Sequence, residues 1–203
     1  MKGAVTRTAY YGSTEHSHDF GPKMLAVGHR LGADRCSDIE MVADGADWIW
    51  QETGKYQPRS VQVLDFYHLC EHLWEAANAR FDPVTAQASE WIHEQKGLLL
   101  DDKADTVIEN IKAWQTRKKA AKEIKRKLIA YMDTHRHRMN YKSLREKGYD
   151  IGSGIMEASC KTVIKARMAA SGMRWEEPGA NAIINLSTHW RTTHNDGFFK
   201  YTN

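Results

Sequence analysis

The sequence has little of what defines secreted, membrane and fibrous proteins. Its three cysteines, Cys36, Cys70 and Cys160, are odd in number and have no Cys-x-x-Cys spacing, so they form neither a disulfide framework nor a four-thiolate zinc site. Apolar runs are short, as at residues 98–100, whereas a transmembrane helix needs roughly 18 apolar residues. The first eleven residues lack the apolar segment of a secretory signal. We therefore expect a cytoplasmic protein without a membrane partner.

The charge of the chain is unevenly distributed, although its overall value is only +3. Residues 117–174 contain sixteen Lys or Arg and five Asp or Glu, so this stretch carries +11 and the remainder −8. A basic stretch beside an acidic remainder indicates a polyanion partner and possible metal ligands. Solvated Lys-rich helices give the same count. Hydrophobic residues make up 41% of the chain, which is enough for a folded core.

Residues 1–65 alternate between strand and helix patterns. Val, Thr and Tyr predict a strand at residues 4–11, and apolar spacing predicts a helix at residues 19–31. Short apolar segments predict strands at residues 38–43 and 60–64, with a short helix between them that Gly54 ends. Strands separated by helices predict a mostly parallel sheet with covered faces.

The rest of the chain is predicted to be helical. Residues 66–147 have one proline and one glycine, and apolar residues at helical spacing predict four helices there. A glycine-rich turn at residues 148–154 precedes a predicted helix at residues 155–170. Another helix is predicted from Pro178 to Leu186, followed by a loosely ordered tail after Trp190.

Two acidic residues occupy positions where a carboxylate can face a ligand. Asp44 follows an apolar strand and precedes a glycine, and ligands bind at the carboxyl ends of strands in open α/β sheets. Glu157 lies in the first turn of a helix that carries Lys161, Lys165 and Arg167, where it can cap the helix or hold a metal beside bound DNA. Asp-Gly turns and acidic caps are common, so neither residue alone identifies a site.

The segment 65–72 allows two interpretations. His68, Glu71 and His72 match H-x-x-E-H, the inverted zincin signature, which predicts a zinc peptidase but needs a third protein ligand. Alternatively, Asp65 caps a helix while His68 packs inward beneath the acidic site, and we favour this interpretation.

Basic and aromatic residues form the candidate DNA interface. Residues 117–127 contain seven basic residues and one acid, and their apolar positions leave most of the charge on one helical face. A tryptophan at an irregular turn can stack on a base, although it is more often buried. The candidates are Lys118, Lys122, Lys125, Arg126, Lys161, Lys165, Arg167, Arg174 and Trp175.

Four stretches together resemble bacterial insertion-sequence transposases of the DDE type, in the Kra-type group related to Mutator-like transposases. They are Val42-Ala-Asp-Gly-Ala-Asp-Trp-Ile-Trp50, Val63-Leu-Asp-Phe-Tyr-His68, Gly152-Ser-Gly-Ile-Met-Glu157 and Ser171-Gly-Met-Arg-Trp175. The resemblance implies an α/β fold with an RNase H-like core. The core would begin in residues 1–65, break at an all-helical insertion over residues 66–147, and end with helices at residues 148–190, before a loosely ordered tail at residues 191–203.

The resemblance also implies functional roles. Asp44 and Glu157 correspond to catalytic acids that hold Mg²⁺ or Mn²⁺, Asp65 and His68 to a supporting D-x-x-H element, and Asp47 is a rival to Asp44. The two catalytic carboxylates are expected to converge. DNA is the expected partner, and the intact protein is expected to form homo-oligomers.

The first catalytic aspartate of the family precedes everything matched here, so the resemblance implies an N-terminally truncated transposase. A two-metal centre that lacks one of its three acids holds its ions poorly, and we expect no strand cleavage by this chain. A non-catalytic DNA-binding remnant is the alternative, and the zinc peptidase is a third possibility.

Overall fold

The computed structural model describes residues 8–81 and 86–195, without the side chains of residues 155–157 and 193–195. The chain divides into two compact units. We call Glu40–Ala46 with Val61–Ser153 the central unit, and Met1–Ile39, Asp47–Ser60 and Gly154–Asn203 the terminal unit.

The central unit contains two parallel strands, β1 (Glu40–Ala43) and β2 (Val61–Leu64). Their register pairs Glu40 with Val61 and Ala43 with Leu64, so both strands end at the same edge. Val63 and Leu64 are completely buried. The residues that follow the two strands therefore lie side by side at the carboxyl edge of the sheet.

Five helices build the rest of the central unit: α3 (Phe66–Arg80), α4 (Gln87–Leu100), α5 (Ala104–Ala113), α6 (Lys119–His135) and α7 (Tyr141–Glu146). Helix α3 packs against α4 and α6, and α5 packs against α4 and α6. Their apolar faces supply the core through fully buried residues such as Leu69, Leu73, Ile108 and Met132. The buried Tyr141 hydroxyl donates to the Leu64 carbonyl at 3.0 Å, which joins α7 to the end of β2.

The terminal unit contains α1 (Ser17–Leu31), α2 (Asp47–Tyr56), α8 (Gly154–Ser159), α9 (Ala166–Met168) and α10 (Glu177–Asn195). A π-helical turn, Cys160–Lys165, joins α8 to α9. Helices α1 and α2 meet where the Phe20 ring lies edge-on to Trp48, with ring centroids 5.7 Å apart. Within the described ranges, no helix has the length and apolar character needed to cross a membrane.

The prediction of an α/β, RNase H-like core is wrong. The described residues form mainly helices, and their only sheet is the two-stranded pair β1–β2. Residues 8–11 are not a strand, and the remainder of the strand predicted at residues 4–11 lies outside the described residues. The apolar segments at residues 38–43 and 60–64 are short and pair only with each other, so the helices supply most of the core.

The predicted helices are largely present, but several of them end at other residues than predicted. The described residues between 66 and 147 are mainly helical, as predicted. Helix α2 continues past Gly54 to Tyr56, because one glycine costs a helix only about 1 kcal/mol. Helix α10 runs to Asn195 instead of ending at Leu186. The buried Thr188 hydroxyl donates to the Ile184 carbonyl at 3.0 Å, which satisfies it inside the helix.

Asp102 caps helix α7 from a distant part of the chain. Its carboxylate accepts hydrogen bonds from the backbone N–H groups of Lys142 at 2.7 Å and Ser143 at 3.1 Å. These N–H groups belong to the first turn of α7 and have no partner within that helix. Asp102 also adopts a left-handed backbone conformation, with φ of 61°.

We expect Asp102→Ala to lower the free energy of unfolding by about 1–2 kcal/mol, since it removes the cap. Asp102→Asn should cost less, because asparagine keeps an acceptor and tolerates the left-handed conformation. Urea unfolding followed by circular dichroism measures both. The control is Asp101→Ala, which removes only exposed ion pairs with Lys103 and Lys142 at 3.9 and 3.7 Å. Equal losses in Asp101→Ala and Asp102→Ala would contradict the capping role.

Candidate functional site

The carboxyl edge of the sheet carries two aspartates in opposite environments. Asp44 follows β1 and Asp65 follows β2, one position beyond the paired residues Ala43 and Leu64. Asp44 is exposed, and its carboxylate accepts a hydrogen bond from the Ala46 N–H at 3.0 Å. Asp65 is 1% exposed. The same position in two neighbouring strands therefore holds one accessible and one buried carboxylate.

The Asp65 carboxylate joins three parts of the central unit. One oxygen accepts from the N–H groups of Tyr67 at 2.8 Å and His68 at 3.2 Å, which caps α3. The other accepts from the Ser153 N–H at 2.9 Å and from the Ser153 hydroxyl. Burial opposes the charge, but the hydrogen bonds from Ser153, His68 and Tyr67 outweigh it and lower the pKa of Asp65. Asp65 is a structural anchor whose oxygens are both engaged.

A row of aromatic rings links α3 to α6 and to the backbone of Asp44. The His68 and His72 rings lie one turn apart with centroids separated by 4.9 Å, and His72 lies 4.7 Å from the Tyr131 ring. The Tyr131 hydroxyl donates to the Asp44 carbonyl at 2.7 Å. Burial lowers the pKa of His72, with a smaller contribution from His68, so its ring is favoured in the neutral form.

Gly45 is required at this edge for two reasons. Its φ of 93° is a left-handed conformation that glycine adopts without strain. A Cβ on Gly45 would also meet the Tyr131 ring at 2.7 Å. The Asp-Gly pair is therefore more than a turn: the missing side chain lets Tyr131 reach the Asp44 carbonyl.

The donor set at the edge does not complete a metal centre. Among the described residues, no group of three His, Cys, Asp or Glu side chains is arranged to hold a metal. Asp65 already accepts four hydrogen bonds, which leaves Asp44 as the accessible carboxylate. His68 lies near Glu71, with Nδ1 and Oε2 3.3 Å apart, and its ring contacts His72. The described chain thus offers no third ligand for the zinc signature, and the prediction of Mg²⁺ or Mn²⁺ stays a prediction.

The predicted convergence of Asp44 and Glu157 also stays a prediction. Glu157 belongs to α8 of the terminal unit, and its side chain is outside the described atoms. Asp47, the rival to Asp44, is the first residue of α2 and is exposed.

The candidate DNA-binding residues differ in how far they are engaged within the protein. Lys118 and Lys122 are exposed. Arg126 is exposed but pairs with Glu123 through bonds of 2.9 and 2.7 Å. Lys125 reaches back to the end of α5, where its amine donates to the carbonyls of Lys112 at 2.7 Å and Trp114 at 2.6 Å. Lys125 is therefore a helix cap as well as a charge.

Lys127 and Tyr131 are additional site residues that the sequence interpretation did not select. They lie one turn apart on α6, which puts them on one face. With His72, Glu75 and Glu123 they line a cleft of about 410 Å³. Their spacing of four residues was the available signal, but nothing in the sequence indicates that this face meets Asp44.

The remaining candidates lie in the terminal unit. Lys161, Lys165, Arg167 and Arg174 are exposed. Trp175 is 40% exposed, so the expectation that such a tryptophan is buried does not hold. Its ring N–H donates to the Met168 carbonyl at 3.1 Å, which anchors one edge of the indole.

No family model, curated protein or solved structure matches this chain. The transposase interpretation therefore depends on the four sequence motifs alone.

We expect Asp65→Asn to lower the free energy of unfolding at neutral pH by about 2–3 kcal/mol, since an amide replaces acceptors for charge-assisted bonds. The folded-state pKa of Asp65 is depressed, so its stabilising contribution is complete above the unfolded value of about 3.9 and is lost as pH falls through the folded value. Urea unfolding at neutral and acidic pH should show a smaller acid-induced loss in Asp65→Asn than in the wild type. Asp44→Asn, at the matched exposed position, should change stability by less than about 0.5 kcal/mol. Indistinguishable pH profiles for Asp65→Asn and the wild type would contradict the anchor role.

The Gly45–Tyr131 contact can be measured with a matched glycine. Gly148 has φ of 90°, and a Cβ there would meet nothing within 4 Å. Gly148→Ala should therefore lower the free energy of unfolding by only about 1–2 kcal/mol, the cost of a left-handed backbone conformation for alanine. We expect Gly45→Ala to cost more, because its new methyl group also displaces Tyr131. The excess, measured by urea unfolding, should shrink when Gly45→Ala is made in a Tyr131→Ala background. Equal costs for the two glycine substitutions would show that Tyr131 does not limit Gly45.

Proposed function

We propose that this protein is a DNA-binding chain of the DDE-transposase type, which binds the DNA backbone through the basic face of α6. One observation carries the proposal. The Tyr131 hydroxyl of α6 donates to the Asp44 carbonyl at 2.7 Å, so the helix that presents the basic residues is tied to the edge that presents the accessible acid. Among the basic residues of α6, Lys127 lies one turn before Tyr131 and lines the same cleft, so a polyanion that reaches Lys127 would pass close to Asp44.

The basic face has the spacing needed for backbone contacts. Lys119, Lys122 and Arg126 are exposed and follow one stripe of α6, and the exposed Lys127 lies beside it, one turn before Tyr131. Phosphates need only positive charge at suitable distances, without base-specific geometry. Glu123 lies 2.7 Å from Arg126 and 4.0 Å from Lys127 and neutralises part of both charges, so Lys119 and Lys122 carry more of the expected attraction.

Among the alternatives, DNA binding without cleavage has the best support. Two-metal phosphoryl transfer needs several oxygen ligands around both ions, whereas Asp65 is committed to hydrogen bonds and Asp44 is the accessible carboxylate of the edge. Binding along α6 needs no metal. The zinc peptidase has the least support, because the described residues offer no third ligand beside His68 and His72.

We expect the chain to bind labelled duplex DNA, with affinity falling steeply between about 50 and 200 mM salt. Lys122→Gln with Arg126→Gln should weaken binding and reduce the slope of log K against log salt by about one per lost contact. Fluorescence anisotropy measures both quantities. The control is Lys103→Gln with Lys142→Gln, which removes the same charge from other elements of the central unit. Equal weakening by the two pairs, or binding that is insensitive to salt, would contradict an α6 interface.

Cleavage assays separate the proposal from its alternatives. We expect no nicking of duplex DNA by this chain with Mg²⁺ or Mn²⁺. Cleavage lost in Asp44→Ala but kept in Asp47→Ala would instead establish the catalytic alternative at the carboxyl edge. Stoichiometric zinc in the purified protein, lost in His68→Ala with His72→Ala, would favour the peptidase.

A further inference from the structure

A groove in the terminal unit combines aromatic, aliphatic and guanidinium groups. Its volume is about 640 Å³, within the range of roughly 300–1,000 Å³ that is usual for ligand pockets. Helix α10 provides Leu186, Trp190 and Arg191, and Tyr10 and Arg167 also line the groove. Among the described residues that line the groove, none is acidic. The lining therefore suits an anionic ligand with a flat apolar part.

The apolar part of the lining is accessible. Leu186 is 64% exposed and Trp190 is 52% exposed, although most large apolar side chains of the protein are buried. The two residues lie four apart on α10 and therefore share one face of the helix. A base or another planar group can lie against this surface and remove it from water.

The cationic part of the lining is held in place by the protein. The Arg191 guanidinium donates to the Thr162 carbonyl in the π-helical turn at 3.2 Å, and this bond uses one of its five N–H donors. The Tyr10 N–H donates to the hydroxyl oxygen of Thr192 in α10 at 2.9 Å, which holds the segment around Tyr10 beside that helix. Arg167 is exposed at the groove. Two guanidinium groups near one aromatic surface can bind a phosphate while a base stacks.

We propose that this groove binds an unpaired nucleotide of single-stranded DNA, with the base against Trp190 and the phosphate between Arg167 and Arg191. A duplex keeps its bases stacked on each other, so the aromatic surface favours a single strand. An acidic peptide would use the two arginines but would gain less from the exposed indole. This inference rests on the proposed DNA-binding function but uses residues of the other unit, so either can fail without the other.

The test is fluorescence anisotropy of a labelled oligothymidylate of about 12 nucleotides, a length typical of single-strand binding sites. We expect Trp190→Ala to weaken binding about tenfold and Trp190→Phe to retain most of it, since loss of one stacked base has about this effect. Trp48→Ala is the matched control, because Trp48 is another exposed tryptophan of the terminal unit and does not line the groove. Circular dichroism checks that each variant is folded. If Trp190→Ala does not fold, the comparison of Trp190→Phe with the wild type still tests the inference.

The contribution of the two arginines is tested by comparing two double variants that have the same change in net charge. Arg167→Gln with Arg191→Gln should weaken oligothymidylate binding about tenfold or more. The control is Arg30→Gln with Arg59→Gln, two exposed arginines of the terminal unit outside the groove, which should change binding less than about threefold. Equal losses in the two pairs, or in Trp190→Ala and Trp48→Ala, would overturn the inference. So would competition by polyglutamate as strong as that by unlabelled oligothymidylate, or self-association through Trp190 without any binding of the oligonucleotide.

The duplex assay keeps the two proposals apart. If Trp190→Ala abolishes single-strand binding while Lys122→Gln with Arg126→Gln has no effect on duplex binding, the groove is supported and the α6 interface is not. The reverse pattern supports the α6 interface and overturns the groove.

Discussion

The buried carboxylate of Asp65 is the interaction on which the organisation of the central unit depends. A buried charge is costly unless hydrogen bonds compensate for it, and four donors do so here. They come from the first turn of α3 and from Ser153, so the end of β2, the start of α3 and the glycine-rich turn meet at one point. The Phe66 N–H donates to the Ile151 carbonyl at 2.8 Å beside it. A single side chain thus sets where the sheet ends and where the helical part of the unit begins.

Asp44 shows how the same position of a neighbouring strand can have a different role. Asp65 is saturated with donors, whereas Asp44 is exposed and is oriented through its backbone by Tyr131. The left-handed Gly45 makes that contact possible because it has no side chain to obstruct the tyrosine ring. The sheet is small, but its register places the anchor and the accessible acid side by side. Asp65 thus holds the unit together, while the neighbouring carboxylate of Asp44 stays accessible.

The sequence predicted local features well because their causes are local. The two short strands follow from apolar segments bounded by turn residues, and the helices of residues 66–147 follow from apolar spacing with few glycines or prolines. The cap at Asp65 follows from the preference of aspartate for helix starts. The number of strands in the sheet does not follow from such signals. The RNase H-like expectation came from short motifs, and those motifs are too short to specify how many strands pair.

The parts of the site that sequence reasoning missed all depend on contacts between distant segments. Tyr131 and Asp44 are 87 residues apart, so neither the role of this tyrosine nor the reason for Gly45 is visible locally. Lys125 belongs to the basic run of α6, yet its amine reaches the carbonyls of α5 because a lysine side chain is long and flexible. Asp102 is a comparable case, since it caps a helix to which it does not belong.

The π-helical turn Cys160–Lys165 has a consequence for how this chain can change. A turn of this kind contains one residue more than a regular α-helical turn, and each residue rotates the following side chains by about 100°. Deleting one residue there would restore a regular helix, and because the turn absorbs its extra residue locally, Arg167 would keep nearly the same direction relative to Val163 on the buried side. The turn is thus a place where the chain can lose one residue while the arginine that follows stays on the surface of the helix.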